Sequence, residues 1–430
     1  MPDLPRRVAV LGGNRIPFVR SNTAYTAVSN QDMLTATLDG LERHCDLAAK
    51  GVGEVVGGAV MKHSRDFNLV RESVLDTRLA PTTPCVDIQQ ACGTGLQAVN
   101  IVANKIALGQ IDSGIACGSD TTSDAPIGVA EGLRQVLLRV NAARSTGDRL
   151  KALAGLRPWH LGISLPRNEE PRTGLSMGGH TEETAKEWQI PREEQDELAL
   201  ASHLNLAAAY ERGFFDDLVS PFRGVDRDNN LRPDSTLEKL AKLGPAFDRD
   251  SGKGTLTAGN SSTLTDGASA VLLASEDWAT QHSMPVQAFV THVETAAVDF
   301  VGSSGTREGL LLAPAYAVPR MLAKAGLTLQ DFDYYEIHEA FAAQVLATLK
   351  AWEDPTFCRE RLGLDTPLGA IDRAKLNVNG SSIAAGHPFA ATGARIVATL
   401  AKALAERGTG RGLISICAAG GQGVTAILER

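Results

Sequence analysis

One layout occurs twice in this chain of 430 residues, and it limits the possible folds more than any other feature. A short apolar strand, a turn of small residues and an alanine-rich helix are predicted at 86–109 (VDIQQACGTGLQAVNIVANKIALG) and again at 376–408 (LNVNGSSIAAGHPFAATGARIVATLAKALAERG). Another strand follows each copy, at 113–117 and 413–416. Two matching halves indicate an internally duplicated α/β fold, in which both turns meet at one junction, where ligand sites tend to form.

The regions around the two copies define the predicted domains. A strand is expected at 8–11, followed by a turn at Gly12-Gly13-Asn14. Residues 122–250, hereafter the insertion, are rich in charge and proline and contain few strand candidates. We therefore predict an N-terminal half (1–121 with 251–283), the insertion as a separate unit, and a C-terminal half (284–430).

Composition excludes several classes of protein. The net charge of −8 argues against a general nucleic-acid binder. The six cysteines form no CxxC pair, so neither a zinc ribbon nor a redox motif is indicated, and we expect no metal site. No apolar run approaches the ~18 residues of a membrane span, and no targeting signal is evident. A cytoplasmic protein with reduced thiols is expected.

The first candidate site is Cys92, in the turn Gln90-Ala91-Cys92-Gly93-Thr94-Gly95. A thiol between a strand and a helix lies near unpaired backbone N–H groups and the positive end of the helix dipole. Both favour the thiolate, so the pattern predicts a lowered pKa and a nucleophile. Taken alone, however, this motif fits a buried structural cysteine better.

The second candidate is His387, in Gly386-His387-Pro388 at the matching turn of the other half. The proline favours an extended or turn geometry for the histidine and keeps it out of a regular helix. Histidine is the usual general base for a sulfur nucleophile. Alone, the residue is equally well explained as an ordinary turn histidine.

Two further loops follow predicted strands. Cys417 begins CAAGGQG, whose glycines would expose the backbone N–H donors that an oxyanion site requires; a phosphate cradle is the weaker alternative, because no GxGxxG or Walker lysine is present here. His338 begins HEAF at a strand-to-helix junction. It is not an HExxH zinc motif, and alone it is better explained by polarity at a helix start. All four loops lie where a strand meets a turn, which argues for a shared site.

Taken together, these motifs resemble those of the thiolase family, and the resemblance covers nearly the whole chain. QQACGTGLQA resembles the nucleophile loop, HEAF the Asn-Glu-Ala-Phe loop, GHPFAATGAR the Gly-His-Pro loop and CAAGGQG the Cys-x-Gly-Gly-Gly loop. RIPF, GLSMG and TAGNSSTLTDGAS are also thiolase-like. HEAF, CAAGGQG and the long insertion most resemble the β-subunit branch of the trifunctional fatty-acid oxidation thiolases.

The resemblance implies a five-layer αβαβα fold of two similar halves plus a loop domain that grips coenzyme A. It implies that Cys92 is acylated, that His387 takes its proton, and that Cys417 protonates the departing acetyl-CoA enolate or removes the α-proton in condensation. His338 stands where most thiolases have an Asn that orients a water. The resemblance also implies two oxyanion sites, one formed by the N–H groups of Cys92 and Ala419 and the other by His387 with a water on His338.

The same resemblance assigns the substrate and its contacts. Coenzyme A thioesters are the expected substrates, and no permanently bound cofactor is expected. The residues that match the pantetheine tunnel of the family are Met177, Ser262, Ala340 and Phe341. A homodimer or homotetramer is expected, and a hydratase/dehydrogenase subunit is a candidate partner.

Two alternatives and one surface remain open. A ketoacyl synthase shares the fold and uses a cysteine with two histidines, and a thiolase-like carrier or scaffold would be non-catalytic. The stretch 131–174 has eight Arg/Lys and four Asp/Glu, a local balance of 8 − 4 = +4. Its simplest interpretation is a solvated face; contact with CoA phosphates, the acyl tunnel, a partner subunit or a membrane surface are the alternatives.

Overall fold

The central sheet repeats one strand arrangement in two adjoining halves. The computed structural model describes residues 5–430. The strands are β1 (Val8–Arg15), β2 (Val19–Arg20), β3 (Glu54–Gly57), β4 (Cys85–Asp87), β5 (Ser113–Asp120), β6 (Gly128–Val129), β7 (Ile163–Ser164), β8 (Thr265–Ser275), β9 (Ala288–Ala297), β10 (Tyr334–Ile337), β11 (Arg411–Ala418) and β12 (Gln422–Glu429).

The helices lie between and over these strands. They are α1 (Asn30–Cys45), α2 (Leu47–Lys50), α3 (Leu69–Leu75), α4 (Thr94–Ala107), α5 (Glu131–Ala142), α6 (Thr146–Ala154), α7 (Met177–Glu187), α8 (Arg192–Glu211), α9 (Leu237–Ala241), α10 (Glu276–Gln281), α11 (Ala313–Ala325), α12 (Ala342–Glu353), α13 (Pro355–Glu360), α14 (Ser382–Ala385) and α15 (Thr392–Arg407).

The duplication is visible in the order of the strands. One half runs β1-β8-β5-β3-β4 and the other runs β9-β12-β11-β10, and β1 and β9 pair antiparallel where the halves meet. In each half the first two pairings are antiparallel and the third, β5 with β3 or β11 with β10, is parallel. The matching turns therefore lie in equivalent places, as the repeated layout predicts.

The helices and the two halves of the sheet form five layers. Helices α4 and α15 contact each other and share one core with residues from both halves of the sheet. On the outer faces, α1 and α3 pack on the first half, and α11 and α12 pack on the second. The predicted αβαβα fold is confirmed.

Strand β8 shows why its sequence reads as a continuous apolar run. Successive side chains of a strand point to opposite faces. Val271 and Leu273 enter the central core, and Ala270 and Leu272 enter the outer one. Since helices cover both faces, no polar alternation is needed.

Two local predictions are wrong. The predicted turn at Gly12-Gly13-Asn14 is absent, because β1 continues to Arg15 and absorbs the glycines through a register shift between Val10 and Gly12. The strand expected at the start of the second copy (376–408) is reduced to a single bridge between Leu376 and Tyr335. Asn377 adopts a left-handed φ of 47°, and its side-chain amide bonds both the N–H and the C=O of Ile337, so a side chain replaces the strand ladder there.

Two further findings concern the N-terminal residues and membrane-spanning helices. Residues 1–4, on which part of the targeting expectation rests, lie outside the described residues. Among residues 5–430, no helix has the length and apolar character needed to cross a membrane.

Candidate active site

Cys92 lies in a constrained turn between β4 and α4. Ala91, just before it, has a φ of 46°, a left-handed value that is uncommon for a residue with a side chain. Thr94 holds this turn, since its hydroxyl donates to the C=O of Ala91 at 2.7 Å and accepts the N–H of Gln90 at 2.9 Å. The thiol is thereby presented at the junction of the two halves.

The protonation state of Cys92 differs from the sequence prediction. Burial raises the pKa of the Cys92 thiol to about 12, although the backbone N–H groups of Ala419 and of Cys92 itself act on the sulfur and oppose this rise. The predicted lowering of the pKa is wrong for the resting protein, because the loss of water around the sulfur outweighs the donors at the turn. Those two N–H groups are the pair that the resemblance assigns to one oxyanion site.

His387 contacts Cys92 directly. Its Nε2 lies 3.0 Å from the Cys92 Sγ, and its Nδ1 lies 2.6 Å from the hydroxyl of Thr392. Burial, with a smaller effect of Arg395, lowers the pKa of His387 to about 3. Both groups are therefore neutral at rest, and the imidazole is positioned to accept the thiol proton as a general base.

Contacts with the first half hold the His387 turn in place. The N–H of His387 donates to the Thr265 hydroxyl at 2.7 Å, and the N–H of Ala390 donates to the Asp120 carboxylate at 2.9 Å. Thr265 begins β8 and Asp120 ends β5. The second half thus supplies the imidazole, and the first half fixes its distance from the thiol.

Cys417 lies near the end of β11, followed by a tight turn into β12. Its side chain is buried, and burial, together with the nearby Cys92, raises its pKa well above the usual value. The turn uses two left-handed glycines, Gly420 (φ 78°) and Gly421 (φ 71°), and the insertion reaches it through Glu170, whose carboxylate accepts the N–H of Gly420 at 2.6 Å. A thiol that stays protonated can act as an acid.

His338 follows β10 and lies beside His387, with the two ring planes tilted by 48°. The ring centroids are 4.1 Å apart, and the Nδ1 of His338 lies 2.8 Å from the hydroxyl of Ser382. The ring is fully buried and its Nε2 has no hydrogen-bond partner among the described residues. Burial, then His387 and then Arg395 lower the pKa of His338 well below its usual value, so the ring is neutral.

Glu339, beside His338 in the HEAF loop, is a structural anchor. Its carboxylate accepts bonds from the Ser202 hydroxyl (2.7 Å), the Asn377 amide (2.6 Å) and the N–H of Ile383 (3.1 Å). These contacts tie the second half to helix α8 of the insertion. The glutamate therefore positions the loop, and all three of these contacts are structural.

A sulfur and two ring nitrogens converge in this site. The donor atoms of Cys92, His338 and His387 all lie within 4.8 Å of one another. Such a set could bind a borderline-soft metal. Its contacts instead pair the thiol with a base, and the expectation of no metal stays a prediction.

The four residues predicted to line the pantetheine tunnel come together near Cys417. Ala340, Phe341 and Cys417 share one apolar cluster, and Met177 packs against it. The N–H of Ser262 donates to the C=O of Ala340 at 2.9 Å. The second thiol therefore lies in an apolar cluster with Ala340 and Phe341.

Four residues that contact this machinery were not among the predicted site residues. Thr392, Ser382 and Arg395 lie inside motifs already identified, so their nearness to His387 was a usable signal. Glu170 lies in the insertion, 250 residues before its partner Gly420, and no local pattern distinguishes it from Glu169. The four remaining cysteines (Cys45, Cys85, Cys117 and Cys358) are free thiols, as expected.

Comparisons with known proteins agree with this architecture. Family models describe residues 8–277 as a thiolase N-terminal domain and residues 291–430 as a thiolase C-terminal domain. The chain is 41% identical over 429 residues to the 3-ketoacyl-CoA thiolase of Yersinia pestis (strain Pestoides F), covering 98% of this chain and 97% of that protein.

Solved structures give the same result. The Bacillus anthracis acetyl-CoA acetyltransferase matches with a TM-score of 0.81 and 30% identity, over 99% of each chain. Human mitochondrial 3-ketoacyl-CoA thiolase in complex with CoA matches with a TM-score of 0.81 and 29% identity, over 99% of this chain and 98% of that one. With both family models matched and a relative aligned along almost its full length, this chain belongs to the thiolase family.

Proposed function

We propose that this chain is an acyltransferase that cleaves 3-ketoacyl-CoA with coenzyme A, giving acetyl-CoA and a shortened acyl-CoA, and that it also runs the reverse condensation. The observation that carries this proposal is the 3.0 Å contact between Cys92 Sγ and His387 Nε2, with a second buried thiol, Cys417, in the same site. A nucleophile, its base and a separate acid are what this reaction requires.

In the first step, Cys92 Sγ attacks the C3 carbonyl carbon and its proton moves to His387 Nε2. The carbonyl oxygen becomes an oxyanion, which preorganised donors stabilise. The C2–C3 bond then breaks, its electron pair forms the acetyl-CoA enolate, and the Cys417 thiol protonates C2. The products are acyl-Cys92 and acetyl-CoA.

In the second step, the CoA sulfur attacks the acyl group on Cys92. The CoA thiol proton goes to the Cys417 thiolate, and the Cys92 sulfur leaves with the proton held by His387. Both cysteines return to their thiol forms, and no electron or proton is left over. The raised pKa of Cys417 supports its role as the acid, because the group is protonated at the start of the cycle.

We assign the CoA contacts to Met177, Ser262, Ala340 and Phe341, and the gripping role to the insertion (122–250). Support comes from their common position beside Cys417 and from the CoA bound in the human relative. We assign one oxyanion site to the N–H groups of Cys92 and Ala419, because both act on the sulfur of Cys92. The other site is assigned to His387 together with His338.

A ketoacyl synthase is the second candidate, since Cys92 with His338 and His387 imitates its cysteine and two histidines. Cys417 in the same site and the thiolase relatives favour thiolysis. Release of CO₂ from malonyl-CoA, without thiolytic activity, would support the synthase instead. Absence of both activities in an intact protein would support a carrier.

The decisive experiment measures thiolysis of short-, medium- and long-chain 3-ketoacyl-CoAs by wild type, Cys92→Ser and the control Cys45→Ser. Wild type and the control are expected to cleave, and only they should gain acyl mass on the Cys92 peptide when CoA is omitted. Full activity of Cys92→Ser, or no cleavage by wild type, would overturn the proposal.

We further propose that copies of this chain form a dimer or tetramer and that the insertion offers a surface to a partner subunit. Its exposed apolar residues support the second part: Leu150, Trp159, Leu161 and Ile163. Light scattering tests the first part. Charge reversal of Arg134, Arg139 and Arg144 tests the second part. If the affinity for CoA and the association with a hydratase/dehydrogenase subunit were both unchanged, the second part would be discarded.

A further inference from the structure

The tautomer of the buried His338 ring is not determined by the position of the ring beside Cys92. A neutral imidazole donates from one nitrogen and accepts at the other, so its tautomer decides whether it gives or takes a hydrogen bond at the site. The Nε2 has no partner among the described residues, and the Nδ1 faces the Ser382 hydroxyl at 2.8 Å. Whatever fixes the proton at Ser382 therefore fixes the chemistry of Nε2.

Arg395 fixes that proton. Its guanidinium is buried in α15, and its Nη2 donates to the Ser382 Oγ at 2.8 Å. A guanidinium has only donors, so it cannot accept the serine hydrogen. Burial lowers the pKa of Arg395 to about 10, an effect that Glu336 opposes, so the group is cationic at neutral pH.

Ser382 has one hydrogen to place. Its side chain is buried, and its hydrogen-bond partners among residues 5–430 are Arg395 and His338. If the Nδ1 carried the proton and donated to Ser382, the hydroxyl hydrogen would be buried without an acceptor, which is unfavourable in a protein interior. The stable arrangement runs from Arg395 to Ser382 and from Ser382 to the Nδ1 of His338.

We propose that Arg395 and Ser382 are positioning residues that lock His338 in the Nε2–H tautomer, so that His338 serves the reaction as a fixed hydrogen-bond donor and not as a base. This inference rests on the proposed function and assigns the role of His338 within it. The Nε2–H is the group that would bind a developing oxyanion or the water beside it.

The inference also explains how a histidine can stand where most thiolases have an asparagine. The side-chain NH₂ of asparagine is always a donor, whereas a histidine is a donor at Nε2 only when its Nδ1 is supplied with a proton by a neighbour. The two adjacent histidines then hold opposite tautomers. His387 must accept from Cys92 at Nε2, so its proton lies on the Nδ1, which faces Thr392.

The test is a double-mutant cycle in the full chain with Ser382→Ala and His338→Asn. Removing one preorganised donor typically costs about 10²–10³ in kcat, so losing only its orientation should lower kcat by roughly tenfold, with KM changed less than about threefold. In the His338→Asn background, Ser382→Ala should change kcat by less than about twofold, because asparagine brings its own donor.

Equal fold losses in both backgrounds would show that Ser382 acts only through packing and would overturn the inference. Ser381→Ala is the matched control, since it removes a neighbouring buried hydroxyl that lies 3.5 Å from Arg395 and is not bonded to His338. An inactive wild type would contradict the proposed function. An active wild type in which the effects of Ser382→Ala and His338→Asn were additive would contradict only the positioning role of Arg395 and Ser382.

A direct measurement determines the tautomer in the wild-type protein. In protein with ¹⁵N-labelled histidine, the ring-nitrogen shifts distinguish the two tautomers and the imidazolium, and the His338→Asn spectrum identifies the signals. A protonated Nε2 with an unprotonated Nδ1 is expected at neutral pH. The reverse pattern, or an imidazolium, would overturn the inference.

Discussion

Gly95 and Gly393 meet backbone to backbone where α4 and α15 begin. A Cβ added to Gly95 would lie 2.6 Å from the C=O oxygen of Ala390 and 3.1 Å from the Cα of Gly393, and one added to Gly393 would lie 2.1 Å from the N of Leu96. The two glycines hold equivalent places in the repeated layout. Their contact allows the two turns to approach closely enough for Cys92 and His387 to bond.

Gly393→Ala should therefore damage both stability and catalysis. The methyl group meets rigid backbone, so the helices must separate, and overpacking of this kind costs about 1–3 kcal/mol. A shift of about 1 Å between nucleophile and base can cost about 10² in rate. Chemical denaturation and kcat check both effects. Gly244→Ala, which adds a Cβ into open space, should change neither, and an unimpaired Gly393→Ala would show that the helices can move apart freely.

Glu170 should control the turn that carries Ala419. Its carboxylate holds the N–H of Gly420, and the adjacent peptide presents the Ala419 N–H to the Cys92 sulfur. Loosening that donor with Glu170→Ala should reduce kcat by roughly tenfold, a fraction of what losing an oxyanion donor outright costs. Glu170→Gln keeps an acceptor oxygen and should recover most of the activity.

The neighbouring Glu169→Ala provides the control, because Glu169 is exposed. Steady-state kinetics of the three variants give the result. If Glu170→Gln were as impaired as Glu170→Ala, the negative charge and not the hydrogen bond would matter.

A buried ion pair should hold the insertion to β1. Arg15 binds both carboxylate oxygens of Asp228, at 2.6 and 2.7 Å, and Asp228 also accepts the N–H of Phe18 and the hydroxyl of Tyr210. Removing one partner leaves the other charge buried and unpaired. Arg15→Ala should therefore lower the free energy of unfolding by about 3–5 kcal/mol. Denaturant titration measures this. The exposed pair of Arg134 and Glu131 is the control, and Arg134→Ala should produce no measurable change.

The parts of this protein that could be predicted from its sequence are those encoded locally. Apolar runs and small-residue turns located the strands and the two duplicated helices, and the loops around Cys92, Cys417 and His338 were found because each follows a strand end. The loop around His387 was found because it repeats the layout around Cys92, although the strand expected before it is a single bridge. The turn predicted at Gly12 failed because pairing with β8, which continues from Gly12 to Arg15, outweighed the local preference of two glycines.

What could not be predicted depends on contacts between distant segments. Asn377 replaces strand pairing with its own side chain, and Glu170 reaches Gly420 from the insertion; neither contact leaves a periodic pattern. The pKa of Cys92 depends on how completely the surrounding layers exclude water. A local motif indicates that Cys92 lies at a helix terminus, but it does not indicate how deeply its sulfur is buried.

The resting pair of Cys92 and His387 should behave as neutral groups and not as an ion pair. Burial raises the pKa of Cys92 to about 12 and lowers that of His387 to about 3. A raised thiol pKa means that the thiolate fraction is small near neutral pH and grows as the pH rises. Alkylation of Cys92 by iodoacetamide should therefore accelerate continuously from about pH 6 to about pH 10 without a plateau, whereas an unperturbed cysteine levels off above its pKa of about 8.5.

Mass spectrometry of the Cys92 peptide measures this rate at each pH. The same peptide in the denatured chain is the control and should follow the ordinary titration of a free thiol. A thiolate–imidazolium pair would instead give fast alkylation that is already constant below about pH 7, because both groups would be ionised there. That plateau would show that the donors at the turn outweigh burial.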